Sequence, residues 1–199
     1  MHTHRAAAAL LLVPMLAIAG CKGRESASQD SAAGVAAAPD TAKPAAAATP
    51  ALTDPNIVYI LDEANASDSA RGQLASTKGT SADVKAFGRL MVGEHHALRL
   101  QGQQLATKLS VTPQAPSGDQ SDAQAKQIMD SLQAMPKGKA WDKAYIDYEV
   151  TYHQAVLETA TKALNAAQNQ ELKDLIQKAA PVIQHHLDRA QQIQKSLGT

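Results

Sequence analysis

Between Ser81 and Ser110 apolar residues recur at spacings of three, four and seven, and no proline interrupts the run. The rungs are Val84, Phe87, Leu90 and Met91, Leu98, Leu105 and Leu109. That period is helical, and a strand with alternating faces cannot use it. A helix of this kind carries one apolar stripe, which must be covered by other helices. Three more stretches read the same way. Residues 54–78 offer Ile57, Ile60 and Leu61, Ala64 and Leu74. Residues 139–167 offer Trp141, Tyr145 and Ile146, Val150, Val156 and Leu157, and Leu164. Residues 170–197 offer Leu172, Leu175 and Ile176, Ile183, Leu187 and Ile193. Alanine is abundant, and aromatics are limited to one Trp, one Phe and four Tyr, so composition also favours helix over sheet.

Punctuation sets the topology. Thr53-Asp54-Pro55 starts the first helix with a cap residue and a first-turn proline, and Gly79 stops it. Ser81 or Thr80 caps the second, which ends before Thr112-Pro113. A weaker helix over 122–135 runs through Ile128, Met129 and Leu132 and is broken by Pro136 and Gly138. Asn169 marks the turn between the last two helices, and Pro181 is expected to kink or split the final one. Short turns make two antiparallel hairpins, and about thirty residues link them. The expected fold is an all-α four-helix bundle over residues 53–199 with one long connection.

Residues 1–20 read as a secretory signal, with His2, His4 and Arg5 before an apolar run over 6–19 that is too short for a confident membrane span. Ile18-Ala19-Gly20-Cys21 resembles the lipobox of bacterial lipoproteins, which implies cleavage before Cys21 and its lipidation. Cys21 is the only cysteine, so no disulfide within the chain holds the fold. Residues 21–52, rich in Ala, Pro and Ser, are expected to be a disordered tether. The partner this predicts is a membrane, reached through the lipid. The location it predicts is the cell envelope, periplasm-facing or at the outer membrane. Formal net charge is zero and no basic block exists, which argues against nucleic acid as a partner.

Three histidines interrupt the apolar ladders in register. His95 stands four after Met91 and three before Leu98. His153 follows Val150 and precedes Leu157, and His186 follows Ile183. Counted from the turns, His95, Asp68, His153 and His186 fall near mid-bundle, within roughly 3–6 Å in height inside each hairpin at about 1.5 Å per residue. Glu149 is one turn before His153 and could be a ligand or an orienting partner. The candidate metal set is therefore His95, His153 and His186 with Asp68 or Glu149. Glu94 neighbours His95, but adjacent helical residues point about 100° apart, so both cannot face the centre equally. The Glu-x-x-His motif of di-iron carboxylate bundles is missing. His96 and His185 should point off the core. Tyr145, Tyr148 and Tyr152 read as amphipathic packing with wet hydroxyls. No Ser-His-Asp order, P-loop or dinucleotide fingerprint is present.

Several stretches together resemble the DUF4142 family, bacterial envelope proteins of unknown function placed in the ferritin-like superfamily. They are Gly72-Gln73-Leu74-Ala75, Val84-Lys85-Ala86-Phe87, Met91-Val92-Gly93-Glu94-His95, Trp141-Asp142-Lys143-Ala144-Tyr145, Val150-Thr151-Tyr152-His153, and Leu175 through Pro181 to His186-Leu187. The resemblance covers nearly the whole folded domain and implies a ferritin-like bundle. It carries over to His95, His153, His186 and Asp68. Arg71 departs from it, standing where an apolar residue is common, and Trp141 stands in place of Phe. Three readings stay open. The centre binds Zn, Fe or Cu, which its ligand types suit equally. Or it is a hydrogen-bonded polar core. Or it fixes helix register in a non-metal interaction or structural module of the envelope. No enzymatic reaction, substrate or protein partner is indicated.

Overall fold

The computed structural model describes residues 52–198. The expected signal segment, the Cys21 lipidation site and the tether through residue 51 lie outside them. Five helices form, and no strand occurs among the described residues.

Helix α1, Asp54–Lys78, begins with a reciprocal cap. The Thr53 hydroxyl accepts from the Asn56 amide, and the Asn56 side chain accepts from the Thr53 amide. Helix α2, Ala82–Leu109, starts at Ser81, whose hydroxyl accepts from the Asp83 amide. It ends at Ser110 in the left-handed region, φ 54°. Helix α3, Ser121–Ala134, lies in the long connection. Helix α4, Lys139–Ala166, follows Gly138. Helix α5, Gln170–Leu197, is capped by the Asn169 side chain, which accepts from the Glu171 and Leu172 amides. Pro181 does not split α5, contrary to one expected outcome. The local cost is one helical bond, because proline has no amide hydrogen for the Gln177 carbonyl.

Helices α1 and α2 pack as one hairpin and α4 and α5 as another. The hairpins join through α2 on α5 and α1 on α4, so the four long helices close a ring. Helix α3 lies against α1 and α4. Lys78 Nζ donates to the Leu132 carbonyl at 2.8 Å, and Trp141 Nε1 donates to the same oxygen at 2.7 Å. These bonds tie the end of α3 to both hairpins.

Each hairpin's turn is held by the other hairpin. The carboxylate of Asp142, in the first turn of α4, accepts from the Thr80 amide at 2.9 Å and the Ser81 amide at 2.7 Å. At the opposite end, the carboxylate of Asp54 in α1 accepts from the Gln168 and Asn169 amides at 2.8 and 3.0 Å. Amide donors that a turn would otherwise leave to solvent are thereby satisfied across the bundle.

Helices α1 and α2 cross closely because both present glycine. A Cβ on Gly88 would lie 2.6 Å from the Gly72 carbonyl oxygen, and one on Gly72 would lie 2.7 Å from the Gly88 oxygen. The apolar interior is divided. One cluster includes Phe87, Met91, Trp141, Tyr145, Leu187 and Ile193, and the other includes Ile57, Ala106, Ala163, Leu172 and Ile176. On α1, α2, α4 and α5 a polar segment separates the two. No described helix is long and apolar enough to cross a membrane.

Candidate metal centre

The polar layer is built from Asn65, Asp68 and Arg71 on α1, His95 on α2, Glu149 and His153 on α4, and His186 on α5, all buried. The three imidazoles form a triangle. Ring centres lie 4.8 Å apart for His95–His186, 5.4 Å for His153–His186 and 5.8 Å for His95–His153. One ligand atom from each ring lies within 4.8 Å of the other two.

Each ring spends one nitrogen on an outer partner. His153 Nδ1 lies 2.8 Å from the Glu149 main-chain carbonyl, which can only accept, so Nδ1 carries the hydrogen. His95 Nδ1 lies 2.9 Å from Asn65 Oδ1. That amide is oriented by its own Nδ2, which donates to the Leu61 carbonyl at 2.6 Å, so His95 Nδ1 is again the donor. His186 Nε2 lies 2.6 Å from Glu94 Oε2, and the carboxylate accepts. The remaining nitrogens, His95 Nε2, His153 Nε2 and His186 Nδ1, are buried and have no hydrogen-bond partner. In the neutral tautomers that the outer hydrogen bonds select, these inner nitrogens carry the lone pairs. Asp68 Oδ2 faces two of them, 3.4 Å from His95 Nε2 and 3.9 Å from His153 Nε2. Lone pairs on imidazole and carboxylate repel unless a proton or cation sits between them.

Arg71 organises the carboxylates. Its Nη2 lies 2.5 Å from Asp68 Oδ1 and its Nε 2.9 Å from Glu149 Oε1. The guanidinium carbon lies 4.2 Å from the Tyr152 ring centre and 4.9 Å from that of Tyr148. Burial pushes the Asp68 carboxyl up, but Arg71, then His95 and His153, outweigh it and hold the group well below its usual range. Burial moves Glu149 the other way, up to about 8 against the pull of Arg71, with the Asp68 charge adding to the rise. Asp68 is thus the ionised member and Glu149 the protonated one near neutral pH. Burial also lowers His95, to about 4, with Asp68 opposing, and lowers His186 against its bond to Glu94. Both rings therefore present neutral nitrogens at neutral pH.

The structure brings together all five residues singled out from the sequence: His95, His153, His186, Asp68 and Glu149. His96 and His185 are exposed, as expected. Reasoning from ladders missed Arg71, Asn65 and Glu94. Arg71 read as a polar interruption but is 1% exposed. Its i, i+3 spacing to Asp68 was the available signal. Glu94 does not share the inward face with His95, yet it reaches His186 from the half-open side of α2. Tyr145 corrects the expectation of wet hydroxyls, since its OH is buried without a partner. Tyr152 and Ser67, with hydroxyls 3.2 Å apart, line a groove of about 370 Å³ between α1, α4 and the start of α3.

This is a helical bundle with a buried histidine–carboxylate centre. Residues 39–193 match the model of DUF4142, a domain of unknown function, and the chain belongs to that family. No curated protein matches it, and no solved structure does.

Proposed function

We propose that the domain binds a transition-metal ion through His95, His153 and His186, with Asp68 as the fourth ligand. One observation carries this reading. Each ring has its outer nitrogen fixed by an acceptor, and its inner lone pair is bare, buried and unpartnered. Metal-ligating histidines are held in this way by their surroundings. Three atoms no more than 4.8 Å apart need only modest contraction to reach the roughly 3.3 Å spacing that metal–nitrogen bonds of about 2.0–2.1 Å impose in a tetrahedron. Three nitrogens and one oxygen suit Zn, Fe or Cu. Glu149 serves the centre through Arg71 and through its carbonyl to His153. Four protein ligands favour a closed site, which points to a structural or carrier role rather than to a reaction.

The test is metal content of the full chain carrying Cys21→Ser, produced without a His tag and dialysed against Zn, Cu or Fe(II). Stoichiometric metal is expected, and each of His95→Ala, His153→Ala and His186→Ala should reduce it to background. If the Cys21→Ser chain with all three histidines intact stays at background in all three metals, the centre is a hydrogen-bonded polar core. The Asp68–Arg71–Glu149 hydrogen bonds, with the Asp68–Arg71 ion pair among them, favour that second reading, as a device that fixes helix register.

We also infer that the bundle is ferritin-like and is held at an envelope membrane by lipid on Cys21. The lone cysteine after Ile18-Ala19-Gly20 supports the anchor. Cell fractionation tests it: Cys21→Ser should move the protein to the soluble fraction, and unchanged membrane retention would refute the anchor.

A further inference from the structure

The geometry points to Arg71 as a built-in second cation, and we propose that it limits the centre to a single metal ion per chain. This rests on the metal reading above and adds the number of ions.

Two ligand groups share His153. One is His95, His153 and His186, and the other is Asp68, Glu149 and His153, with the ligand atoms of each group within 4.8 Å of one another. By residue type alone the pair would make two neighbouring cation sites. Two carboxylates and an imidazole suit a divalent ion as well as three imidazoles do. The two groups differ in what already occupies them. The imidazole group has three unpartnered nitrogens. The carboxylate group is filled by the Arg71 guanidinium, bonded to Asp68 Oδ1 at 2.5 Å and to Glu149 Oε1 at 2.9 Å.

That cation is permanent. A guanidinium does not lose its proton in proteins. It is also locked in place. Arg71 is 1% exposed, and its outer face lies against Tyr152 and Tyr148. A divalent ion among the same carboxylates would meet this charge at contact range in a buried layer, where screening is weak. Asp68 is divided between the two groups. Its Oδ1 faces Arg71, while its Oδ2 faces the bare nitrogens of His95 and His153. One oxygen thus neutralises the fixed cation, and the other is left for the exchangeable one. Glu149 has its Oε1 and its main-chain carbonyl committed, to Arg71 and to His153, and only its Oε2 is left without a hydrogen-bond partner beside the fixed cation.

The experiment counts Co(II) bound by the full chain carrying Cys21→Ser, by equilibrium dialysis and visible absorption, alongside Arg71→Lys and Arg71→Met. The expected result is one Co(II) for the parent chain, one for Arg71→Lys and two for Arg71→Met. In Arg71→Met the carboxylates lose their cation and become free to hold a second ion. Helix content, followed by circular dichroism through the titration, reports whether Arg71→Met is folded. If that variant stays unfolded, the parent chain in excess Co(II) decides. A count of one upholds the limit, and a count of two overturns it while leaving the metal reading intact. A single ion in folded Arg71→Met also overturns it. No bound Co(II) in the parent chain overturns the metal reading and this inference together.

Discussion

Arg71 Nε donates to Glu149 Oε1 at 2.9 Å, a buried hydrogen bond between residues 78 positions apart that joins one hairpin to the other. Removing the cation strands the Asp68 carboxylate and the Glu149 carboxyl in a buried layer. Breaking a buried pair from one side costs on the order of 3–5 kcal/mol. Arg71→Met should lower unfolding stability by about that amount in chelator. Glu149→Gln added to Arg71→Met should recover part of the loss, since it removes one of the stranded carboxyls. Urea unfolding of the single and double variants checks this, and a double variant no more stable than the single would refute it.

The Gly72–Gly88 crossing sets the distance between α1 and α2, and so the placement of Asp68 against His95. Gly88→Ala would put a methyl 2.6 Å from the Gly72 oxygen and 2.7 Å from the Ser76 amide nitrogen, both backbone. The helices would have to separate, at about 1–3 kcal/mol or more. Gly93→Ala is the contrasting change. It lies inside α2 with nothing within 4 Å of the added carbon, so it should stabilise by up to about 1 kcal/mol through helix propensity. Thermal melts of the two variants should move in opposite directions.

Two groups give the metal-free protein opposing pH dependences. Burial lowers His95 to about 4 in the folded state, against an unfolded value near 6.5. The unfolded chain then binds more protons between these values, so this contribution is complete above pH 6.5 and is lost as pH falls toward 4. Burial raises Glu149 to about 8 from 4.5, so its contribution is complete below pH 4.5 and is lost as pH rises through 8. At about 1.4 kcal/mol per unit each term is on the order of a few kcal/mol. His95→Gln should flatten the profile between pH 4 and 6.5, and Glu149→Gln should flatten the decline between pH 4.5 and 8. Urea midpoints at four pH values with chelator present test both signs.

Asp142 is 1% exposed and accepts from two amides and the Thr80 hydroxyl at the α1–α2 turn. Asp142→Ala should cost about 1–3 kcal/mol by stranding these donors. Amide exchange at Thr80 and Ser81 should accelerate with the global loss. Unchanged exchange there would show that the carboxylate does not hold the turn.

Much of the frame was legible because single residues decide it. Thr53 with Pro55, Gly79 and Asn169 punctuate the helices at the observed ends, and the ladders placed His95, His153 and His186 on inward faces. Periodicity could not show which helices of different hairpins touch, since pairing of α2 with α5 leaves no local mark. The burial of Arg71 was illegible for the same reason, because its i, i+3 spacing to Asp68 suits a surface pair as well as a buried one. A charged residue reads as solvated until Glu149, far along the chain, is known to meet it. Pro181 misled in one respect, because tertiary packing carries α5 past a missing hydrogen bond.

The exchange of carboxylates between hairpin ends has a consequence for how the chain folds. Asp54 completes the α4–α5 turn and Asp142 the α1–α2 turn, so neither hairpin has a finished turn until it meets the other. Half of this molecule should therefore not persist as a stable intermediate, and the two halves should form and melt as one cooperative unit. Agreement of calorimetric and van't Hoff enthalpies is the expected signature, and a separate transition for either hairpin would contradict it.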